Sequence, residues 1–223
     1  MTEAAESRDQ SARVAALFTR SSGEFRFARW GRAPAIAVYG TDQKGRQLFE
    51  GALTALCGLM NLSPAEEDPE LGANFLVFLT ARWDELLEVP NLDKLIPDLT
   101  KLVSVLKGSG ANQYRIFGFD DAGAIKICIT LLQFDDDLRK ASPQAVAIGQ
   151  TFQGMLLWSD HAFTGETPLA MVAETKRAVI KPWYVTLMRA AYAPTLPLAS
   201  RDATTAGLIA ARMVEVEAMG SGG

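Results

Sequence analysis

The catalytic chemistry open to this chain is limited by its histidines, because it has only one, His161. Catalytic zinc is commonly held by three histidines, by two histidines and a glutamate, or by two cysteines and a histidine. The first two sets are excluded, and the third requires Cys57, Cys128 and His161 to meet. Both cysteines lie in apolar runs, which is typical of buried, reduced thiols. We predict no metal and no cofactor; a disulfide between the two cysteines stays open.

The residues around His161 read Ser159-Asp160-His161, which are the three residue types of a hydrolase triad. Consecutive residues cannot face one another across a site as triad members must, and the chain has no G-x-S-x-G motif. A histidine that bonds locally in a loop is the simpler interpretation. A cysteine–histidine pair would require one of the two cysteines to lie beside it.

Acidic side chains cluster beside turn signals in three segments, residues 66–70, 120–121 and 135–137. Paired carboxylates could bind a divalent cation or act as general acid and base. Turn residues and solvated charges explain the same clusters without any ligand. We therefore predict that these segments are solvated loops.

The elements that position these side chains begin with strands. Residues 35–40 and 74–80 are apolar runs of strand length, and apolar side chains at helical spacing predict a helix over 43–60 between them. Residues 114–120 and 124–132 flank an Asp-Ala-Gly turn, which predicts an antiparallel hairpin. The first two strands with their crossover helix predict a parallel β-α-β unit.

Capping residues predict the remaining helices. A short helix follows the second strand, and Pro97 opens another. Ser142 and Pro143 begin a helix that extends to about residue 158. Two further helices are predicted near 168–192, with a break at Pro182, and near 201–218.

This order predicts an α/β (α+β mixed) fold: a mixed parallel/antiparallel sheet of four to five strands with helices packed on it. We expect one α/β domain over 24–219, a polar N-terminal arm over 1–23 and a flexible tail over 220–223. The composition is that of a globular protein, with 48% hydrophobic and 22% charged residues. The net charge of −4 argues against nucleic acid as a partner.

No secretory signal and no membrane span are predicted, because the first residues lack an apolar core and no apolar run reaches about 18 residues. The expected location is the cytoplasm. The expected partner is another protein or a second copy of the chain.

Several segments, in order, resemble a bacterial family of unknown function that is described as zincin-like metallopeptidases. The similar segments are RW at 29–30 with PAIAV at 34–38, ANFLV at 73–77, QGMLL at 153–157 with SD at 159–160, and LMRAAYAPTL at 187–196. The resemblance implies a zincin-like fold with a catalytic helix over 143–158. Such a helix carries H-E-x-x-H, in which two histidines bind zinc and the glutamate is the general base.

The corresponding positions here hold Ile148, Gly149 and Phe152, so the motif is degenerate. None of these side chains can bind a metal or accept a proton. The resemblance then implies a catalytically inactive domain that acts as a binding or structural, accessory protein. The candidate groove residues are Gln150, Gln153, Trp158, Asp160, His161, Trp183 and Tyr184.

Three alternatives stay open. Packing in the core is the simpler interpretation of the aromatic groove residues. The chain could be a hydrolase of an unrecognised type that uses carboxylates or His161. It could also be an assembly subunit on another mixed α/β fold, and the missing leader favours this, since the family it resembles is usually exported.

Overall fold

The computed structural model describes residues 3–175 and 177–220. The strands in this part of the chain are β1 (Phe27–Ala28), β2 (Ile36–Tyr39), β3 (Phe75–Thr80), β4 (Gln113–Phe119), β5 (Ile125–Gln133), β6 (Leu169–Met171), β7 (Ala178–Ile180) and β8 (Ala199–Ser200). The helices are α1 (Glu3–Phe18), α2 (Gln43–Leu59), α3 (Leu92–Leu95), α4 (Leu99–Ser109), α5 (Asp136–Lys140), α6 (Pro143–Gly154), α7 (Pro182–Ala191) and α8 (Thr204–Gly220), with a 3₁₀ turn over Trp83–Glu88.

A mixed sheet in the order β2-β3-β5-β4 forms the centre of the fold. Strands β2, β3 and β5 are parallel, and β4 runs antiparallel to β5. All six residues of β3 are buried, as expected for a continuous apolar strand that is covered on both faces. The predicted mixed α/β fold is confirmed.

Two helical layers cover the sheet. On one face α2 packs against α6, and α7 and α1 both pack against α8 around the larger apolar cluster. On the other face the 3₁₀ turn, α3 and α4 cover a smaller cluster that includes Trp83, Leu92 and Val103. The segment expected as a polar arm therefore contains α1, whose Val14, Leu17 and Phe18 are buried. Of the expected tail, residues 221–223 lie outside the described residues.

The predicted helix near 168–192 is wrong in its first half, where β6 and β7 form a short antiparallel hairpin. Pro182 explains the change, because a proline forces the residue before it out of the helical region. Lys181 accordingly has an extended backbone (φ −59°, ψ 140°), and α7 begins at Pro182.

The helix predicted to reach residue 158 ends earlier, at Gly154. Gly154 lies against the ring of Phe75, where an added Cβ would approach to 2.3 Å. Beyond it the chain is held by the N-terminal segment: the Leu157 N–H donates to the Ala28 carbonyl at 2.9 Å, and the Trp30 indole donates to the Gly154 carbonyl at 2.9 Å. These long-range hydrogen bonds replace the last helical turn.

Cys57 and Cys128 are free and buried, as their apolar surroundings predict. Burial raises the pKa of each thiol to about 11. At pH 8 only about one thiol in a thousand would then be the reactive thiolate, before any steric protection is considered.

We therefore expect an aromatic disulfide reagent at pH 8 to label neither thiol of the native protein while it labels both at once in guanidinium chloride. Absorbance of the released thiolate measures the reaction. Rapid labelling of either cysteine in the native protein would show that its burial is wrongly described.

Candidate functional site

A pocket of about 550 Å³ opens between the edge strand β4 and the loop that follows α6. Gln113, Arg115 and Phe117 line it from β4, and residues 157–160 and 162–164 line it from the loop. Arg20 lies at its border, after α1. We call this cavity the Arg115 pocket.

The guanidinium of Arg115 is held by neutral side chains. It donates to Oε1 of Gln153 at 3.1 Å, to Oε1 of Gln150, and to Oγ1 of Thr130 at 3.3 Å. Gln150 in turn donates to Oε1 of Gln113 at 2.8 Å. Among the described residues no carboxylate pairs with Arg115. Its charge is therefore positioned by amides and a hydroxyl and is not neutralised.

Burial lowers the pKa of the Arg115 guanidinium, and the nearby Cys128 opposes this slightly. An arginine starts so far above neutral pH that it keeps its proton in proteins. Arg115 is partly buried, and a cation that loses part of its hydration without gaining a counter-ion is stabilised when an anion binds to it.

The helix α6 presents Gln150 and Gln153 to Arg115 because they are three residues apart and share one face. Ser142 caps this helix, accepting from the Ala145 N–H at 3.1 Å. The positions of the degenerate motif lie elsewhere on the helix. Phe152 is fully buried, and Ile148 is partly buried against the same apolar cluster.

Phe152 packs into an aromatic cluster with Trp158, Phe163 and Tyr184, at ring-centre distances of 5.2, 6.0 and 5.8 Å. Gly149 is also buried, and an added Cβ there would lie 3.3 Å from Leu169. This face of α6 contacts protein: Phe152 lies behind Trp158 and Phe163, and it is these two rings that line the Arg115 pocket.

The residues around His161 do not form a triad. Asp160 accepts from the backbone N–H of Ser21 at 2.9 Å and from its hydroxyl, and it lies 3.3 Å from Nδ1 of His161. These hydrogen bonds, from Ser21 first, lower the pKa of the Asp160 carboxyl. The carboxylate stands between serine and imidazole, whereas a triad requires the imidazole to stand between the other two. His161 therefore cannot take the Ser21 proton.

The predicted groove residues divide into two groups. Gln153, Trp158 and Asp160 line the Arg115 pocket, and Gln150 supports Arg115 from behind. His161 follows Asp160 at the surface. Trp183 and Tyr184 do not line this pocket, although the Tyr184 ring lies 6.1 Å from that of Phe163, which does. Trp183 stacks beneath the guanidinium of Arg13, at 3.8 Å, and Tyr184 belongs to the aromatic cluster in the core.

Two buried donors beside the pocket have no acceptor in the described part of the chain, the indole N–H of Trp158 and Nε of Arg20. Trp158 as a whole is 8% exposed. Together with Arg115 they add donors to a lining whose Asp160 carboxylate already accepts two hydrogen bonds from Ser21. Such an arrangement suits a ligand that carries negative charge and several acceptor oxygens.

A larger pocket, of about 710 Å³, lies between α2, α7 and α8 and is mostly apolar. Its buried arginine, Arg29, donates to the carbonyls of Tyr192, Ala193, Leu196 and Pro197. Arg29 therefore satisfies the main-chain carbonyls of the segment that follows α7. These bonds give Arg29 a structural role.

Arg115 and Gln113 were not predicted as site residues. The signal was present: in the strand reading QYRIFGF, residues 113, 115 and 117 fall on one face, so an arginine shares that face with an aromatic ring. A charge that points toward a helical layer from a sheet edge is a reason to look for a ligand.

Comparison of the chain with protein-family models, with curated proteins and with solved structures found no match. In the described residues, no group of three or more histidine, cysteine, aspartate or glutamate side chains could hold a metal ion. None of the helices there is both long and apolar enough to cross a membrane.

Proposed function

We propose that this protein binds an anionic ligand in the Arg115 pocket and does not catalyse a reaction. The preferred ligand is a carboxylate. The observation that carries the proposal is a partly buried guanidinium that two amide side chains hold in the lining of a pocket and that no described carboxylate neutralises. Planar guanidinium groups match carboxylates well, because two N–H groups can donate to two oxygens.

The placement of the degenerate motif supports the non-catalytic part of the proposal. Ile148 and Phe152 pack into protein, while the adjacent face of the same helix positions Arg115 through two glutamines. In this proposal the zincin-like scaffold has kept its helix and uses another of its faces for binding. We also place the protein in a reducing compartment such as the cytoplasm, because its two thiols are free.

The test is calorimetric titration with glutarate and with citrate at low ionic strength. We expect Arg115→Gln to weaken the binding of both anions roughly 10- to 100-fold. This is the change in affinity that corresponds to losing one hydrogen bond to a charged group. Added sodium chloride should weaken binding to the native protein, because salt screens the attraction.

Arg82→Gln is the matched control, since the Arg82 side chain is 75% exposed and lies outside the Arg115 pocket. It should bind both anions as the native chain does. Thermal unfolding of each variant checks that it is folded. The proposal fails if neither anion binds, or if both bind a folded Arg115→Gln variant with unchanged affinity.

A further inference from the structure

The outer edge of β4 carries main-chain groups that are unpaired in the described structure. Strand β4 is the last in the sheet, so only β5 pairs with it. The Gln133 N–H donates to the Asn112 carbonyl, which makes residues 112 and 133 a hydrogen-bonded pair. Because such pairs alternate along antiparallel strands, the N–H and C=O groups of Gln113, Arg115 and Phe117 point away from the sheet.

The Arg115 pocket reaches this edge. Side chains of consecutive strand residues point to opposite faces, yet Gln113, Tyr114 and Arg115 all line the pocket. Three consecutive lining residues, two of them exposed, place the pocket along the strand at the edge of the sheet. The outward main-chain groups and the Arg115 side chain are therefore presented to the same space.

The open space continues along the strand. A neighbouring pocket of about 410 Å³ shares Leu157 with the first and reaches Phe119, at the other end of β4. Arg26 and Arg201 also line this second pocket. From Gln113 to Phe119 a strand spans on the order of 20 Å. A small carboxylate would fill only a fraction of that length, whereas an extended chain would follow it.

We propose that the occupant is an extended acidic segment of another polypeptide that pairs with the outer edge of β4 and places a glutamate or aspartate against Arg115. This inference rests on the proposed function and names its ligand class. Main-chain hydrogen bonds supply affinity in such strand addition, and side-chain pockets supply specificity. Here the specificity is for negative charge, because no carboxylate in the described part of the chain pairs with Arg115.

A second copy of the chain fits the edge less well. Two β4 strands that pair about a two-fold axis centred on Arg115 would bring two guanidinium groups opposite each other. Like charges that face each other across paired strands are destabilising. An acidic partner converts the same position into an attractive one.

The probe is a capped peptide that matches the 7 residues of β4, with the sequence Thr-Val-Thr-Glu-Thr-Val-Thr. Its valines and its glutamate share one face. We expect calorimetry to show binding at least tenfold tighter than that of glutarate. Glutamine in place of the glutamate, or Arg115→Gln in the protein, should each remove most of that binding.

Two N-methylated forms of the peptide test whether it pairs with the edge of β4. One form is methylated on the N–H groups of its odd-numbered residues, and the other on those of its even-numbered residues. Only every second N–H group of the peptide can face β4, so methylation of that set should weaken binding at least tenfold. Methylation of the other set should leave binding unchanged. Arg82→Gln again serves as the protein control.

The remaining outcomes separate three questions: whether the edge of β4 pairs with a peptide, whether the pocket binds an anion, and whether the partner is a second copy of the chain. If glutarate binds through Arg115 but the peptide binds no tighter, or if both methylated forms bind equally, edge pairing is wrong and the anion pocket stands. If neither glutarate nor the peptide binds, the proposed function falls as well. If the chain forms dimers that the peptide dissociates, the edge belongs to a second copy and the acidic partner is ruled out.

Discussion

Replacement of Phe152 by alanine is expected to lower the free energy of unfolding by about 3–5 kcal/mol, the usual cost of emptying a large core site. Phe152 is fully buried and contacts three aromatic rings, those of Trp158, Phe163 and Tyr184. The three rings around position 152 have little freedom to move into the space that the phenyl ring leaves, so the cavity should persist in the variant. Urea denaturation followed by circular dichroism measures the loss.

Tyr114→Ala is the control for this change, because the Tyr114 side chain is a large ring that is 41% exposed. Its loss should cost much less than that of Phe152. Near-equal losses for the two variants would contradict the central position of the aromatic cluster. The same geometry implies that histidine at position 152 would bury an imidazole inside the core, so a zinc pair cannot be restored on this face of α6.

Asp68→Asn is expected to lower the free energy of unfolding by about 3 kcal/mol, because it weakens several hydrogen bonds to a buried charge. The Asp68 carboxylate is 3% exposed. It accepts from the Glu70 and Leu71 N–H groups, each at 2.9 Å, from Asn74 Nδ2 at 3.0 Å, and from Arg32 at 3.3 Å.

Asn74 makes Asp68 important for the sheet. Oδ1 of Asn74 accepts from the Ala35 N–H at 2.7 Å, and its Nδ2 also donates to the Ala33 carbonyl at 3.1 Å. Ala35 comes just before β2 and Asn74 just before β3. Asp68 therefore fixes the side chain that sets two parallel strands side by side, and its loss should loosen both.

The contribution of Asp68 to the free energy of unfolding should fall as the pH is lowered. Burial alone would raise the pKa of this carboxyl, but the hydrogen bonds from Leu71, Glu70, Asn74 and Arg32 outweigh burial and lower it. A folded-state pKa below the unfolded value of about 3.9 stabilises the protein above that value, and the gain is lost as pH falls through the folded pKa.

The difference in stability between the native chain and Asp68→Asn should therefore shrink as the pH is lowered from 6 toward 3. Glu70→Gln is the control, because Glu70 is exposed although it also pairs with Arg32. Its variant should lose far less stability at neutral pH. A difference between native chain and Asp68→Asn that stays constant down to pH 3 would contradict the depressed pKa.

The burial of Asp68 marks a limit of the sequence analysis, which placed residues 66–70 in a solvated loop. That prediction is wrong for Asp68, and the reason is non-local. Two of its partners, Arg32 and Asn74, come from other segments, and only the folded chain brings them together. Charge clustering reports how polar a segment is, but it cannot say which member finds enough donors to be buried.

The sheet was easier to predict than the site. Continuous apolar runs such as β3 and the turn between β4 and β5 are local signals, so the parallel β-α-β unit, the hairpin and the mixed sheet followed from them. The β6–β7 hairpin has three residues in each strand, which is too short for a period to be read. Arg115 was missed because its role depends on glutamines that reach it from α6.

The pairing of α1 with α8, and of β1 with β8, has a consequence for biosynthesis. The part of α1 that packs against α8 stays uncovered until α8 has left the ribosome. Nascent chains in which such a surface waits uncovered are prone to misassembly. Slow translation of the final segment, or its truncation, should thus increase dependence on chaperones in the cell.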